Sequence, residues 1–413
     1  MSAVSMAFQV WLVGKIGSSG IGLYQLVLSV TGLGMTFAIS GIRFASTRLV
    51  AEELGEDSGA VGAAMGRCLR YALFFGCAAG AILYFLAEPI GFLWIGDART
   101  VRSLRLSALS MPCGALCAAM SGYFTAGGRV WKSSAVHLAE QLFGILLTAF
   151  FLSRSPKGDI EQNCLAVTGG RVAADVFSLI LKSIVYLLDK RKYYGGSKNG
   201  VRLTGRMLKI AMPLAVSAYA RSALSTMQHL LVPKGLKAAG FSADRALSGY
   251  GVIQGMVLPV IFFPSCVMAA IAELIVPELT QAQVTGDREG IQRTVNSLFY
   301  KSVVFSGAVA VLLLVFSDAL GRTIYDSAEA GYYIRVLAPL VPVMYTDMTV
   351  DGCLKGLGQQ VYSMGINILD AVTGLLLVWW LLPKYALSAY IAIIYFTEIL
   401  NFILSYRRLN QCQ

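Results

Sequence analysis

Ser217, Arg221, Ser225, Gln228 and His229 fall at i, i+4, i+8, i+11 and i+12 of an otherwise apolar stretch, which stacks them on one helix face. Arg221 lies near the midpoint between Lys209 and Lys234, too deep to reach water easily by extending its side chain. An arginine facing lipid there costs about 3 kcal/mol or more, so it must face protein, a wet cavity or an anion. A guanidinium fork matches phosphate bidentately, better than an ammonium does; a structural carboxylate is the alternative partner. His229 sits further along the same face as a titratable donor, unless it is only an interfacial residue with a satisfied hydrogen bond.

Other charged residues also stand in apolar surroundings. Asp347 and Asp351 are one helical turn apart, and two neighbouring carboxylates in low dielectric suit the binding of a proton or sodium ion; a solvated or helix-pairing role is the alternative for Asp351. Arg43 and Glu273 are 230 residues apart. Glu140 and Asp370 are separated by the same interval and read as helix-end or pairing residues. His137 reads as interfacial.

That interval governs the whole chain. Pro112 answers to Pro342, Gly91 to Gly321, Gly122 to Gly352, Gly128 to Gly358, Gly144 to Gly374 and Glu88 to Asp318. One helical bundle has been used twice. The 413 residues are 56% hydrophobic and 14% charged, with a mean hydropathy of +0.65, which excludes a soluble domain. Twelve segments are predicted to cross a membrane: 3–16, 25–48, 67–87, 103–125, 134–153, 163–188, 208–232, 249–277, 294–317, 332–354, 361–382 and 387–405. The first is short and reads as a helix missing its first turns. The fold class expected is therefore an all-α polytopic membrane protein, with two parallel six-helix repeats forming two lobes around a central cavity. The lobes are 1–188 and 208–413.

Residues 189–207 form a basic linker. Lys190, Arg191, Lys192, Lys198, Arg202 and Arg206 place it in the cytoplasm by the positive-inside rule, and an even helix count puts both termini there too. Lys234, Lys237 and Arg245 fall outside and weaken the signal. The net charge of +11 then reads as topology and attraction to anionic lipid, not as a nucleic-acid surface. The eight cysteines have no metal or disulfide spacing, and no cofactor motif, Walker loop or metalloprotease signature occurs. No loop is long enough for a soluble catalytic domain, so the expectation is a transporter rather than an enzyme. Pro259, Pro264, Pro277, Pro339 and Pro342 mark kinks or hinges.

Gly20-Ile21-Gly22-Leu23-Tyr24, the segment Ser46 to Glu52, the paired glycine turns at 122/128 and 352/358, and Leu231-Val232-Pro233 with Gly235-Leu236 carry a family likeness. Together they make the chain resemble the multidrug/oligosaccharidyl-lipid/polysaccharide exporter superfamily, in its polysaccharide-exporter branch, which includes sporulation proteins. Twelve helices, rather than the fourteen frequent in that branch, and the short first helix are departures. The resemblance implies a flippase that carries a polyprenyl-pyrophosphate-linked saccharide across the bacterial cytoplasmic membrane by alternating access; the oligomeric state is left open, with a monomer expected. It assigns Arg221 to the pyrophosphate, with Ser217, Ser225, Gln228 and His229 beside it. It makes Arg43 and Glu273 a gate, with a static interfacial pair as the alternative. Asp347 and Asp351 become the site of coupling to a proton or sodium gradient. A multidrug antiporter of the same superfamily is the alternative function; a membrane-embedded transferase is disfavoured by the lack of a long outer loop.

Overall fold

The computed structural model describes residues 2–56, 61–156, 158–190 and 200–412, and among them every element is helical. The chain runs through α1 (Ser2–Ile39), α2 (Ile42–Glu56), α3 (Val61–Pro89), α4 (Val101–Ala108), α5 (Met111–Ala126), α6 (Val130–Arg154) and α7 (Ile160–Lys190). It continues through α8 (Gly200–Ala238), α9 (Ala243–Gly251), α10 (Leu258–Phe262), α11 (Ser265–Thr285), α12 (Arg288–Tyr325), α13 (Ala328–Leu337), α14 (Val341–Gly356) and α15 (Gln360–Cys412). Contacts group these into two compact units. One comprises Met1–Gln25 with Met227–Gln413, and the other Leu26–Thr226.

Among the described residues, seven helices are long and apolar enough to cross a membrane, and the pair α4/α5, bent by 45°, makes an eighth. The difference from twelve lies partly in helices that turn back on themselves. In α15, Asn401 Nδ2 donates to Asn367 Oδ1 at 3.4 Å although the two are 34 residues apart. In a straight helix that separation is about 50 Å. The turn is at Ala386 (φ 50°), three residues after Pro383. In α1 the break is at Gly17, whose φ of 72° and ψ of 177° suit only glycine. The first limb and second limb of α15 hold the predicted spans 361–382 and 387–405, while 3–16 lies before the break in α1 and 25–48 begins after it and runs into α2. Among the described residues, the long apolar side chains of α6 and α12 are largely exposed, for example Leu146, Phe150, Val311 and Val315, as helices solvated by lipid require.

Within the unit of 1–25 and 227–413, α1 crosses α9 backbone to backbone. A Cβ on Gly22 would stand 2.2 Å from the Leu247 carbonyl oxygen, and one on Gly251 2.1 Å from that of Ser18. Small residues at such a crossing are the usual means of helix association in lipid. Ser18 and Ser248, 230 residues apart, share a hydrogen bond of 2.7 Å beside it. Leu279, Ile291, Val295, Leu298, Val350 and Leu354 form a core where α11, α12 and α14 meet.

The duplication is visible atom by atom when each unit is taken in turn. After α5, Gly128 (φ 67°) reverses the chain and the Arg129 amide donates to Phe124 O at 2.8 Å; after α14, Gly358 (φ 70°) does the same and the Gln359 amide donates to Leu354 O at 2.8 Å. Glu88 pairs with Arg105, and their counterparts Asp318 and Arg335 pair likewise. Each of these turns is closed against the far end of the following hairpin. In the first repeat Asp189 accepts from Arg129 and from Lys132 Nζ at 2.6 Å. In the second, Arg408 donates to Gln359 Oε1 at 2.8 Å and lies over the Tyr362 ring, 4.8 Å from its centroid.

Candidate functional site

Because α15 folds back at Ala386, Asp370 on its first limb and Glu398 on its second come within electrostatic reach of each other and of Asp347 on α14. Ser405 Oγ lies near Asp347 and donates to Asn401 Oδ1 at 3.2 Å, and Asn401 in turn donates to Asn367. One carboxyl oxygen of Asp347 and one of Asp370 are shut off from solvent with no hydrogen-bond partner among the described residues. Asp351 is placed differently. It pairs with Lys355 Nζ at 2.5 Å and accepts from the Ser363 hydroxyl. The sequence-based pair is thus divided: Asp351 is neutralised by its own helix, while Asp347 joins two acids from α15. An ionised carboxylate taken out of water without a partner costs several kcal/mol, so three of them together require a proton or a cation. Among the described residues no group of three or more His, Cys, Asp or Glu has metal-binding geometry.

The equivalent place in the other unit is balanced instead. Cys117, Glu140 and Thr168 stand where the acidic cluster has Asp347, Asp370 and Glu398, and Ser121 stands where Asp351 is. Glu140 accepts from Ser178 Oγ at 2.6 Å, and Lys182, 6% exposed, donates to Ser121 Oγ at 3.0 Å. His137 lies beside Glu140 at 3.5 Å and is exposed, in line with a peripheral role.

The polar face of α8 also divides. Its Tyr219 stacks on Phe37 (centroids 4.2 Å apart, 10° between planes) and donates to Ser40 Oγ at 2.5 Å; Ser222 accepts from Thr36 at 3.3 Å. Those contacts fix which side of α8 is packed within the unit of 26–226. Arg221 and Ser225 are exposed, and Arg221 makes no hydrogen bond or ion pair among the described residues. On the packed face of α8, away from Arg221, lies an apolar cavity of about 290 Å³ lined by Val30, Phe37, Leu83, Trp94, Tyr219 and Ala223. Gln228 and His229 belong to the other unit. His229 Nδ1 is 3.2 Å from the Tyr250 hydroxyl, and Gln228 lies against Gly374. His229 is therefore a satisfied residue of its own unit. Arg43 is exposed on α2. The side chains of Ser217, Glu273 and Pro277, and the linker cations Lys190, Arg191, Lys192, Lys198, Arg202 and Arg206, lie outside the described residues.

Glu398 is the member of the acidic cluster that sequence reasoning missed. The available signal was a lone acid in the apolar run 387–405, since ionisable residues inside membrane segments mark function by default.

Part of the chain matches a known family. The MatE family model matches residues 237–380, the stretch that holds α9 to α14 and the first limb of α15 with Asp347 and Asp370. That match covers about a third of the chain, and the rest of the likeness is carried by relatives of low identity. Stage V sporulation protein B of Bacillus subtilis (strain 168) is 22% identical over 371 residues, covering 88% of this chain and 72% of that protein. An inward-facing multidrug resistance MATE family transporter shares the fold with a TM-score of 0.73 at 12% identity, over 100% of this chain and 95% of the other. The lipid II flippase MurJ in an inward closed conformation does so with a TM-score of 0.76 at 13% identity, over 99% and 86%. The MatE match and these folds agree with an all-α membrane transporter of two six-helix repeats.

Proposed function

We propose that this transporter is a flippase for a polyprenyl-pyrophosphate-linked saccharide in the bacterial cytoplasmic membrane, working by alternating access with both termini in the cytoplasm. The observation that carries the reading is Arg221: an exposed guanidinium on a helix in the predicted span 208–232, unpaired among the described residues. Such a group needs an anion, and a pyrophosphate offers its fork two acceptors at once. Ser217 and Ser225 share its helix face and supply hydroxyls. The fold relative named as a lipid II flippase supports a lipid-linked substrate. Asp347, Asp370 and Glu398 take up the coupling proton or sodium ion. Arg43 and Glu273, equivalent in the two repeats, are the candidate gate charges, and the halves 1–188 and 208–413 with the linker 189–207 are the moving parts.

The test is flipping of a fluorescent polyprenyl-pyrophosphate disaccharide in reconstituted vesicles. Arg221→Ala is expected to slow it by a factor of ten or more, the size of a lost charge-assisted contact of about 1.5–3 kcal/mol, and Arg221→Lys to retain part of the rate. Normal flipping by Arg221→Ala would remove this site. A multidrug antiporter is the second reading, favoured by the aromatic wall of the 290 Å³ cavity and by the acidic cluster. Uptake of a cationic dye, with no flipping of the lipid-linked sugar, selects it.

A further inference from the structure

A groove of about 400 Å³ lies between α1 and the corner where α10 meets α11, entirely within the unit of 1–25 and 227–413. Prolines make the corner. Pro259 has no N–H to give the Gly255 carbonyl four residues earlier, and Gln9 Nε2 crosses from α1 to donate to that oxygen at 3.0 Å. Beyond α10 the helix breaks at Phe263–Pro264, and the carbonyls around the break find other donors: Ile261 O accepts from the Tyr345 hydroxyl, and Phe262 O from Ser265 Oγ at 2.7 Å. The corner is thus stable without a ligand, and the recess beside it is part of the fold.

Its lining is unusual for a membrane helix bundle. Ser2, Ser5, Gln9 and Gln25 contribute hydroxyls and carboxamides from α1, and Phe262 and Phe263, each about 40% exposed, contribute aromatic rings beside Met6 and Pro259. Among the described residues no charged side chain lines it. A lipid tail has no use for the amides, and an ion would find no counter-charge. Uncharged donors and acceptors set beside aromatic rings match one chemistry well, a neutral saccharide, whose hydroxyls take hydrogen bonds while its C–H faces lie on rings. The volume falls within that of small-molecule sites.

We propose that this groove binds the neutral sugar portion of the transported lipid, an inference that rests on the flippase reading and extends it to a second subsite. Cys266, exposed on the groove wall, provides the readout. In the protein held in a sugar-free amphipol with Cys77→Ser, the other exposed thiol removed, maleimide labelling of Cys266 is followed with three probes: prenyl-pyrophosphate-linked chitobiose, prenyl pyrophosphate without sugar, and free chitobiose. At ten times its Kd the sugar-bearing lipid is expected to slow labelling about tenfold, the sugar-free lipid to leave it unchanged, and Gln25→Leu to abolish the protection. Protection by free chitobiose at higher concentration supports the same site. Equal protection by the sugar-free lipid overturns the proposal. Retention of radiolabelled sugar-bearing lipid with Cys266 unprotected overturns this groove alone, whereas no retention of either lipid overturns the flippase reading as well. If Cys266 resists maleimide, Phe263→Trp emission is used: a shift with the sugar-bearing lipid alone supports the groove, and no shift refutes it.

Discussion

Asp189 is 1% exposed, yet three donors surround it. Burial works against its charge, but hydrogen bonds from Lys132, Arg129 and Tyr123 outweigh that penalty and hold the carboxyl below its usual range. A depressed carboxyl pKa stabilises the fold above the unfolded value near 4, and the contribution is lost as pH falls through the lowered folded value. Asp189→Asn is therefore expected to lower the unfolding temperature at pH 7, with a loss of about 2 kcal/mol because the two cations keep a fifth of their surface exposed. The difference from wild type should vanish in scans taken well below pH 4; a gap that persists there would remove the charge from the explanation. At the acidic cluster, Asp347→Asn and Glu398→Gln are each expected to uncouple flipping from an imposed proton or sodium gradient while Asp351→Asn does not. Gradient dependence unchanged in the first two variants would exclude the cluster from coupling. Arg221 stood out in the sequence because a cation amid apolar residues is conspicuous in any window. Glu398 was not, because its partners Asp347 and Asp370 are brought to it only by the reversal at Ala386.

Among the elements, the crossing of α1 and α9 is the most demanding of side-chain size. A methyl group at Gly22 or Gly251 would overlap a carbonyl oxygen that belongs to backbone and cannot swing aside. Gly22→Ala and Gly251→Ala are expected to cost about 2 kcal/mol or more. Gly307→Ala in α12, where nothing lies within 4 Å of the new methyl, is expected to be neutral or to stabilise by about 0.5 kcal/mol through helix propensity. Thermal unfolding of the purified variants separates them, and equal effects at the three positions would show that the crossing is not tightly packed. Helix positions were well read from hydropathy. The predicted segments 3–16 and 25–48 end and begin around the break at Gly17, and 361–382 and 387–405 flank the break at Ala386. Hydropathy records apolarity, however, and not direction. It could not show that α9, α10 and α11 form a cornered path through one predicted span, or that the carbonyls at that corner are satisfied by Gln9, Tyr345 and Ser265.

At the scale of the molecule, backbone geometry has outlasted side-chain chemistry. The interval of 230 residues was legible because glycines and prolines at turns answer to backbone requirements, and Gly128 and Gly358 still adopt the same left-handed conformation. Charges at equivalent points have diverged: Lys182 balances one unit, while the other gathers three acids with Lys355 engaged by Asp351. This divergence follows no backbone rule, which is why the polar residues of α8 and α14 were grouped by spacing more simply than the structure groups them.

The clasp that fastens each glycine turn to the end of its hairpin shows what such divergence entails. Arg129 and Lys132 hold an acid in one half, whereas Gln359 and Tyr362 hold a cation in the other. The halves can no longer lend each other single parts. Gln359→Arg, copied from the first half, would set one guanidinium against another at Arg408 and is expected to lower the unfolding temperature; adding Arg408→Asp should restore it, with a coupling energy between the two changes of about 1–3 kcal/mol. Ancient twins of this kind drift as locked pairs, and each pair of partners can change only together.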